Sequence, residues 1–275
     1  MMESLTTHIF EKGGETMNFD FGIAGKKYLV TGASSGIGQA AAILISKFGG
    51  TVILNGRNEE RLNQTLSQME GEGHHIMPFD LTDLEGIKQY VKDCIEVDGR
   101  RFDGLVFAAG MGGGAPVRAE TMLNVKGMMQ VNFYSYFALI KEFNSRRVLN
   151  DSGSIVAISS RAAGNPDKSQ LSYAGSKAAL DTASDVAALE FAKRKVRVNT
   201  VRPEMVDTPM SAAFFDGVER ERRMDFYPLG PLTPRDVAET VLFLLSNMSK
   251  KLTGQHLYLS AGNDGRPIDF LLGNS

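Results

Sequence analysis

Short runs of β-branched and apolar residues alternate along the chain with longer segments whose apolar residues recur at helical spacing. This alternation is typical of a parallel β-sheet covered by helices on both faces. The predicted strands are Lys27–Thr31, Thr51–Asn55, His75–Asp80, Gly104–Ala108, Ser154–Ser159, Arg197–Arg202 and Gln255–Ser260. The predicted helices are Gly36–Phe48, Glu59–Met69, Leu84–Val97, Thr121–Val148, Ser172–Lys193 and Pro234–Ser246. We therefore expect an α/β fold, with a doubly wound, parallel, seven-stranded sheet in a single domain.

Two segments interrupt this alternation. Residues 1–18 are mostly polar, so we expect an N-terminal extension that is disordered or loosely docked, with Met17 as a hypothetical alternative start. Residues 19–275 then form the folded domain. Within it, residues 203–231 are too long for a plain connection and mix Met, Phe and Arg, which is typical of a lid over a binding site.

Composition excludes several classes of protein. The 275 residues include 30 basic and 32 acidic ones, a formal net charge of -2, so we expect no nucleic-acid partner. No apolar run approaches the roughly 18 to 20 residues of a membrane span, and we expect no membrane association. The single cysteine, Cys94, fits a reducing compartment, and we expect a cytoplasmic protein. The four histidines lack metal-ligand spacing, so no metal site is predicted.

A glycine-rich turn follows the first predicted strand and leads directly into a helix: Thr31-Gly32-Ala33-Ser34-Ser35-Gly36-Ile37-Gly38. A strand, a turn of this kind and a helix together are typical of Rossmann-type dinucleotide binding, in which the helix N-terminus faces the pyrophosphate. Gly32 would permit the tight reversal, Gly36 the approach of the phosphates, and Gly38 close packing of helix on strand. The predicted cofactor-binding residues of this turn are Gly32, Ser34, Ser35, Gly36, Ile37 and Gly38.

The end of the second predicted strand bears on which dinucleotide is bound. A carboxylate there would hydrogen-bond the ribose 2′-hydroxyl of NAD and repel a 2′-phosphate, but the sequence reads Leu54-Asn55-Gly56-Arg57. The planar guanidinium of Arg57 suits a phosphate, so NADP(H) is favoured over NAD(H), with a solvated surface charge as the alternative. Asp80 and Leu81 end the third strand beside the expected adenine, although Asp80 also suits a helix cap.

Tyr173 and Lys177 are four residues apart in a predicted helix and therefore share one face. A cation close to a phenol favours the phenolate, so this spacing can provide a general acid and base. On its own the pair is more often an ordinary feature of an exposed helix surface.

Together, the glycine turn and the Tyr-x-x-x-Lys pair resemble the short-chain dehydrogenase/reductase family in its shorter form, and in particular members like 3-oxoacyl-acyl-carrier-protein reductase, over about residues 19–262. The resemblance implies hydride transfer and a catalytic tetrad of Asn132, Ser160, Tyr173 and Lys177. Ser160 precedes Tyr173 by thirteen positions; its neighbour Ser159 is the competitor, with ending the strand as its expected role.

In the roles that the resemblance implies, Tyr173 exchanges a proton with the substrate oxygen and Ser160 stabilises the oxyanion. Lys177 holds the nicotinamide ribose and lowers the pKa of Tyr173, while Asn132 helps to fix a water. Further implied cofactor contacts are Ala109, Gly110, Tyr173, Lys177, Pro203, Val206 and Thr208.

The sequence departs from the family pattern at three places. Glu204 stands where the family usually has glycine, and its side chain could crowd the cofactor or touch substrate. Ala108 replaces an asparagine that ties neighbouring backbone together, which we interpret as a matter of stability. Ser260-Ala261-Gly262 replaces the usual Asp-Gly-Gly, which leaves the contacts around the last strand open.

We therefore predict an NADP(H)-dependent carbonyl reductase for a small, partly apolar substrate, with 3-oxoacyl thioesters first and cyclic ketones second. Arg161, beside Ser160, either contacts an acidic substrate group or is simply exposed. The resemblance also implies a homotetramer or homodimer that pairs through helices Thr121–Val148 and Ser172–Lys193. The alternative is a non-catalytic dinucleotide-binding sensor or assembly protein on the same fold.

Overall fold

A computed structural model describes residues 21–212 and 227–263, which form one α/β domain. Its strands are β1 (Lys27–Thr31), β2 (Thr51–Leu54), β3 (His75–Ile76), β4 (Phe102–Phe107), β5 (Leu149–Ile158), β6 (Arg197–Pro203) and β7 (His256–Leu259). Its longer helices are α1 (Gly36–Lys47), α2 (Glu59–Leu66), α3 (Ile87–Glu96), α4 (Met122–Met129), α5 (Ser135–Phe143), α6 (Leu171–Phe191) and α7 (Pro234–Leu245).

All seven strands are parallel and lie in the order β3-β2-β1-β4-β5-β6-β7. The chain first winds outwards from β1 to β3 and then returns to place β4 on the other side of β1. At such a switch point the connections leave in opposite directions and open a crevice at the carboxyl ends of the strands. The predicted doubly wound, seven-stranded sheet is confirmed.

Alternating side chains of the central strands enter two separate cores, because successive residues of a strand face opposite sides of the sheet. On one side, Leu105 of β4 packs in a cluster with residues of α3, α5 and α6. On the other side, Val106 packs with residues of α1 and α7. The sheet is thus buried on both faces, which explains why its strands are apolar almost throughout.

The predicted helix Thr121–Val148 is divided in the structure. A π-helical turn at Gln130–Tyr134 separates α4 from α5, and α5 ends at Phe143. The wide turn contains Asn132, whose side chain is completely buried and faces the loop after β4. Such turns inside α-helices frequently mark functional sites.

The predicted strand His75–Asp80 is regular only over its first two residues. Met77 and Phe79 still donate to backbone carbonyls of Leu54 and Gly56, but Pro78 between them has no N–H to offer. The third strand is therefore short and lies at the edge of the sheet, where proline is tolerated.

The predicted extension at residues 1–18 and the middle of the predicted lid, residues 213–226, lie outside the described residues. Within the described ranges, no helix combines the length and the apolar character needed to cross a bilayer.

Candidate active site

A cavity of about 760 Å³ opens where the strands end at their carboxyl side. Residues from the glycine turn, from the ends of β4, β5 and β6, and from the start of α6 line it. The predicted site residues that line it are Gly32, Ser34, Ser35, Gly36, Ile37, Gly38, Arg57, Asp80, Leu81, Ala109, Gly110, Ser160, Tyr173, Lys177, Pro203, Val206 and Thr208. The remaining predicted residue, Asn132, lies behind this wall.

The glycine turn is held too tightly for larger residues. Gly32 has a φ of +65°, and a methyl group there would lie 2.9 Å from the Ala108 carbonyl oxygen. A methyl group at Gly38 would lie 2.4 Å from the carbonyl oxygen of Gly32. No side chain caps the first turn of α1, and that turn contains no acidic residue. Its N–H groups therefore suit an anion such as a pyrophosphate.

The phenol of Tyr173 and the hydroxyl of Ser160 both line the cavity and are close enough to interact. Burial raises the pKa of the Tyr173 phenol, and the interaction with the Ser160 hydroxyl opposes this rise. The Ser160 hydroxyl also accepts from the Ala162 N–H at 3.1 Å, which fixes the chain after β5. Its neighbour Ser159 ends the strand with its backbone N–H bonded to the Val201 carbonyl. The structure thus brings Ser160, rather than Ser159, to Tyr173.

Lys177 lies one helical turn beyond Tyr173 and is buried. Its ammonium donates to the Ile158 carbonyl at 2.8 Å, at the end of β5. Burial lowers the pKa of Lys177 to about 8, and the negative charge of Asp181 opposes this shift. At neutral pH the group is a cation close to the phenol, as proton transfer by a tyrosine requires.

Asn132 connects three segments around this pair. Its Oδ1 accepts from the Met111 N–H at 2.8 Å, and its Nδ2 donates to the Met111 carbonyl at 3.0 Å and to Ser176 Oγ at 2.9 Å. A methyl group at Gly110 would lie 3.2 Å from Asn132 Oδ1 and 3.4 Å from Lys177 Nζ. The π turn therefore places Asn132 beside Lys177, and both amide hydrogens of Asn132 are bonded to protein.

The other end of the cavity is basic. Arg57, just before the N-cap of α2, and Arg61, in the first turn of that helix, both line it. Arg57 is 77% exposed, with its guanidinium 4.0 Å from Asp80. Asp80 itself accepts from the Thr82 N–H and hydroxyl, and the backbone hydrogen bond is the main cause that lowers its pKa. Asp80 thus caps a turn at the end of the third strand and leaves Arg57 largely free for a ligand.

The segment after β6 closes the crevice over the glycine turn. Thr208 approaches Gly36 so closely that a methyl group on Gly36 would lie 3.3 Å from its Cγ2. Hydrogen bonds between Thr208 and Ser211 hold this segment, and Val206 pairs with Leu232 in an isolated parallel bridge. Pro203, Val206 and Thr208 therefore lie together along one wall.

Comparison with known proteins assigns the family. The family model described as enoyl-(acyl carrier protein) reductase matches residues 32–264. Glucose 1-dehydrogenase of Gluconobacter oxydans is 33% identical over 245 residues, which cover 87% of this chain and 92% of that protein. The 3-oxoacyl-(acyl-carrier-protein) reductase of Thermotoga maritima is also 33% identical, over 87% of this chain and 98% of its own length. The chain belongs to the short-chain dehydrogenase/reductase family.

A solved structure agrees with this assignment. The dehydrogenase/reductase from Sinorhizobium meliloti 1021 superimposes with a TM-score of 0.83 at 32% identity, over 89% of this chain and 97% of that one. As a member of the short-chain dehydrogenase/reductase family, the protein is an oxidoreductase that uses a nicotinamide dinucleotide.

At one of the departures from the family pattern, Ala108, the backbone is held by the side chain of Thr31 at the end of β1. Thr31 Oγ1 accepts from the N–H groups of both Ala108 and Ala109 at 3.1 Å. The hydroxyl at the end of β1 thus ties β1 to the chain after β4. The backbone around the missing asparagine is therefore held by a neighbouring strand.

The second departure from the family, Glu204, is nearly buried and forms an ion pair with Arg161, whose Nε is 2.9 Å from Glu204 Oε1. Arg161 is only 7% exposed. Of the two readings left open for Arg161, simple exposure is therefore wrong. The guanidinium lines the cavity wall and is held there by the ion pair with Glu204.

Sequence reasoning missed two features of the cavity. Arg61 has a signal in the sequence, since it is a second arginine four residues after Arg57, in the first turn of the predicted helix Glu59–Met69. The run Gly112-Gly113-Gly114 after β4 also lines the cavity, and a methyl group at Gly114 would overlap the carbonyl oxygen of Ser169, at 1.9 Å. Three successive glycines after a strand could have indicated this close approach.

Proposed function

We propose that this protein is an NADP(H)-dependent carbonyl reductase that transfers a hydride between the nicotinamide and a ketone or secondary alcohol. The observation that supports it most directly is that Tyr173 and Ser160 interact within one cavity, with buried Lys177 one turn beyond Tyr173 along α6. These three groups meet in one cavity at the switch point of the sheet, where doubly wound folds bind their ligands.

The dinucleotide fits the residues that are present. The uncapped N-terminus of α1 suits the pyrophosphate, and the segment with Pro203, Val206 and Thr208 would hold the nicotinamide end. When bound, the cofactor supplies the hydride. Arg57, with Arg61 beside it, supports the choice of NADP(H), because two guanidinium groups near the ribose suit a 2′-phosphate.

In the proposed mechanism, Tyr173 donates its proton to the substrate oxygen during reduction and accepts one in oxidation. The Ser160 hydroxyl hydrogen-bonds the same oxygen as negative charge grows there. Lys177 favours the phenolate by its charge and would hold the nicotinamide ribose. Asn132 positions the loop at Met111 and the helix at Ser176, and Oδ1 or a backbone carbonyl of the π turn would hold a water for proton supply.

The substrate that we propose is small and partly apolar. Met111, Met205 and Met210 line the described part of the cavity, and residues 203–231 would form the lid. A 3-oxoacyl thioester is the first candidate, supported by the name of the Thermotoga relative, and cyclic ketones are the second. The aromatic lid residues Phe214, Phe215 and Phe226, on which this prediction also depends, lie outside the described residues.

We also propose a cytoplasmic homodimer or homotetramer that pairs through α4, α5 and α6. Large apolar side chains on these helices point away from both cores. The alternative of a non-catalytic sensor depended on Glu204 and Ala108; Glu204 is paired with Arg161, and Thr31 holds the backbone at Ala108. These contacts favour a functional enzyme.

The test is loss of NADPH absorbance with a panel of 3-oxoacyl thioesters, cyclic ketones, quinones and keto-sugars. Tyr173→Phe is run beside the parent protein, with exposed Tyr134→Phe as the control. We expect turnover of at least one ketone, abolished by Tyr173→Phe and unchanged by Tyr134→Phe. Turnover that survives Tyr173→Phe would refute the mechanism, and better turnover of keto-sugars than of acyl or cyclic ketones would refute the apolar substrate.

A further inference from the structure

The guanidinium of Arg161 lines the cavity directly after Ser160, and protein groups occupy it from several sides. Its Nε pairs with Glu204 at 2.9 Å. One terminal nitrogen donates to the Asn165 carbonyl at 2.5 Å, and the other pairs with Asp167. An arginine beside a catalytic serine would otherwise be a natural receptor for a carboxylate, because its fork matches that group.

Glu204 is held firmly in the position where it meets this guanidinium. Its Oε1 also accepts from the Tyr258 hydroxyl at 2.5 Å, and its backbone N–H donates to the Leu259 carbonyl at 2.9 Å. Both partners belong to β7, so the carboxylate is anchored to the sheet. Burial raises the pKa of the Glu204 carboxyl, while the hydrogen bond from Tyr258 and the charge of Arg161 oppose this rise.

Two carboxylates therefore face one guanidinium in the cavity wall. With both ionised, the local charge of Arg161, Asp167 and Glu204 is negative, and interactions between partly buried charges are only weakly screened. An incoming carboxylate would have to displace Glu204 or approach it closely. Lys177 already donates to the Ile158 carbonyl, and Lys168, exposed in the loop that follows Arg161, is the other cation along this side.

We propose that Glu204 is a specificity-determining residue: by occupying Arg161 it excludes carboxylates from the Ser160 side of the cavity and selects substrates that are uncharged next to the reacting carbonyl. The inference extends the proposed carbonyl reductase activity to a class of substrate. The glycine that the family usually has at this position would leave Arg161 Nε without its partner and leave space beside it.

The test uses a pair of ligands that differ in charge next to a ketone, acetoacetate and methyl acetoacetate. Their binding to the full-length protein loaded with NADP+ is measured by titration calorimetry, and the oxidised cofactor prevents turnover. We expect Glu204→Gly to bind acetoacetate at least tenfold more tightly than the parent and methyl acetoacetate within twofold. The double variant Arg161→Met/Glu204→Gly should lose the gain, and Glu239→Ala, which removes an exposed carboxylate on α7, should show none.

An absent gain in Glu204→Gly, or a gain that survives Arg161→Met, would overturn the proposal. Should Glu204→Gly fail to fold, Glu204→Gln keeps the volume and an acceptor for Arg161 without the charge. We then expect Glu204→Gln to bind acetoacetate about threefold more tightly than the parent does. An affinity equal to that of the parent would refute the proposed role of Glu204. Failure of the carbonyl reductase activity would be recognised separately, by the absence of NADPH oxidation, and the same titration without cofactor still tests Glu204.

Discussion

The buried ammonium of Lys177, a proposed catalytic residue, opposes the stability of the fold. Charged groups lose hydration when they are buried, and this lowers the pKa of Lys177 from 10.5 to about 8. At about 1.4 kcal/mol per pKa unit, the fall corresponds to a cost of about 3 kcal/mol for keeping the group charged. This cost is what remains after the charge of Asp181 has opposed the effect of burial.

We predict that Lys177→Met abolishes turnover and stabilises the fold. Turnover should fall by about 10² to 10⁴-fold, the range for loss of acid and base catalysis. The melting temperature should rise by about 2 to 4 °C, because the apolar side chain removes the cost of a buried charge. Calorimetry and the NADPH assay measure the two effects, with exposed Lys141→Met as a control that changes neither. A lower melting temperature for Lys177→Met would contradict the argument.

The same shift predicts a pH dependence. Because the pKa of Lys177 is lower in the folded than in the unfolded protein, the unfolded state binds more protons between about pH 8 and 10.5. The free energy of unfolding of the parent protein therefore rises as pH rises through that window. The free energy of unfolding of Lys177→Met lacks this contribution. Denaturant titrations should show that the difference in free energy of unfolding between the two proteins is smaller at pH 10 than at pH 7.5. An equal difference at both pH values would refute the pKa shift of Lys177.

Arg57 provides a test of the cofactor. Its guanidinium is largely exposed and close to no carboxylate but Asp80 among the described ion pairs, so a 2′-phosphate can reach it. We predict that Arg57→Ala raises the KM for NADPH at least tenfold and leaves the KM for NADH unchanged. Arg235→Ala, an exposed arginine on α7, is the matched control. An equal rise for both cofactors would show that Arg57 stabilises the site rather than reading the phosphate.

At the scale of secondary-structure elements, the sequence predicted what local periodicity determines. The bounds of β1 and α1 and the turn between them follow from apolar spacing and glycines, and the structure agrees within one residue. The π turn around Asn132 was not predictable, because it depends on the contacts of that side chain with Met111 and Ser176. Such contacts between distant segments leave no periodic signal.

The pair of Arg161 and Glu204 illustrates the same limit within the site. Each residue was conspicuous in the sequence, Arg161 by its place after Ser160 and Glu204 by replacing a glycine. Their pairing depends on β5 and β6 being neighbours in register, so that the chain segments after both strands meet. A pattern within either segment could not reveal it.

We predict that Gly38→Ala separates α1 from β1. A methyl group at Gly38 would lie 2.4 Å from the Gly32 carbonyl oxygen, so the helix must move away from the turn. We expect the free energy of unfolding to fall by about 2 kcal/mol or more, measured by thermal unfolding. NADPH binding, measured by fluorescence titration, should be lost as well. Gly175→Ala in α6 is the control, since nothing lies within 4 Å of its added methyl group. The control should be stabilised by up to about 1 kcal/mol through helix propensity.

At the scale of the whole molecule, several large apolar side chains of the described residues are exposed on α4, α5 and α6. Leu123 of α4 is 80% exposed and Leu189 of α6 is 79% exposed, and Phe137 of α5 is also exposed. Since α5 packs on α6, these helices form a continuous layer on one side of the sheet. Apolar patches of this kind are more typical of a subunit interface than of a monomer's surface. An isologous interface would bury the same patch on both subunits.

Leu189→Glu tests whether this layer is the interface. A glutamate there would place like charges in the centre of a two-fold contact, where desolvation and repulsion both oppose association. We predict that sedimentation or light scattering at a protein concentration near 10 µM finds a mass at least halved relative to the parent, because a contact whose Kd has risen to about 100 µM or more is mostly dissociated at that concentration. Met248→Glu, an exposed position directly after α7 on the opposite side of the sheet, should leave the mass unchanged. A parent that is already monomeric, or a Leu189→Glu variant of unchanged mass, would mean that another partner or none covers this face.

Turnover of the separated subunits tests a second consequence of such pairing. Tyr173 and Lys177 both lie on α6. Loss of turnover on separation would therefore indicate that contact with the partner's α6 stabilises the helix that carries these two residues.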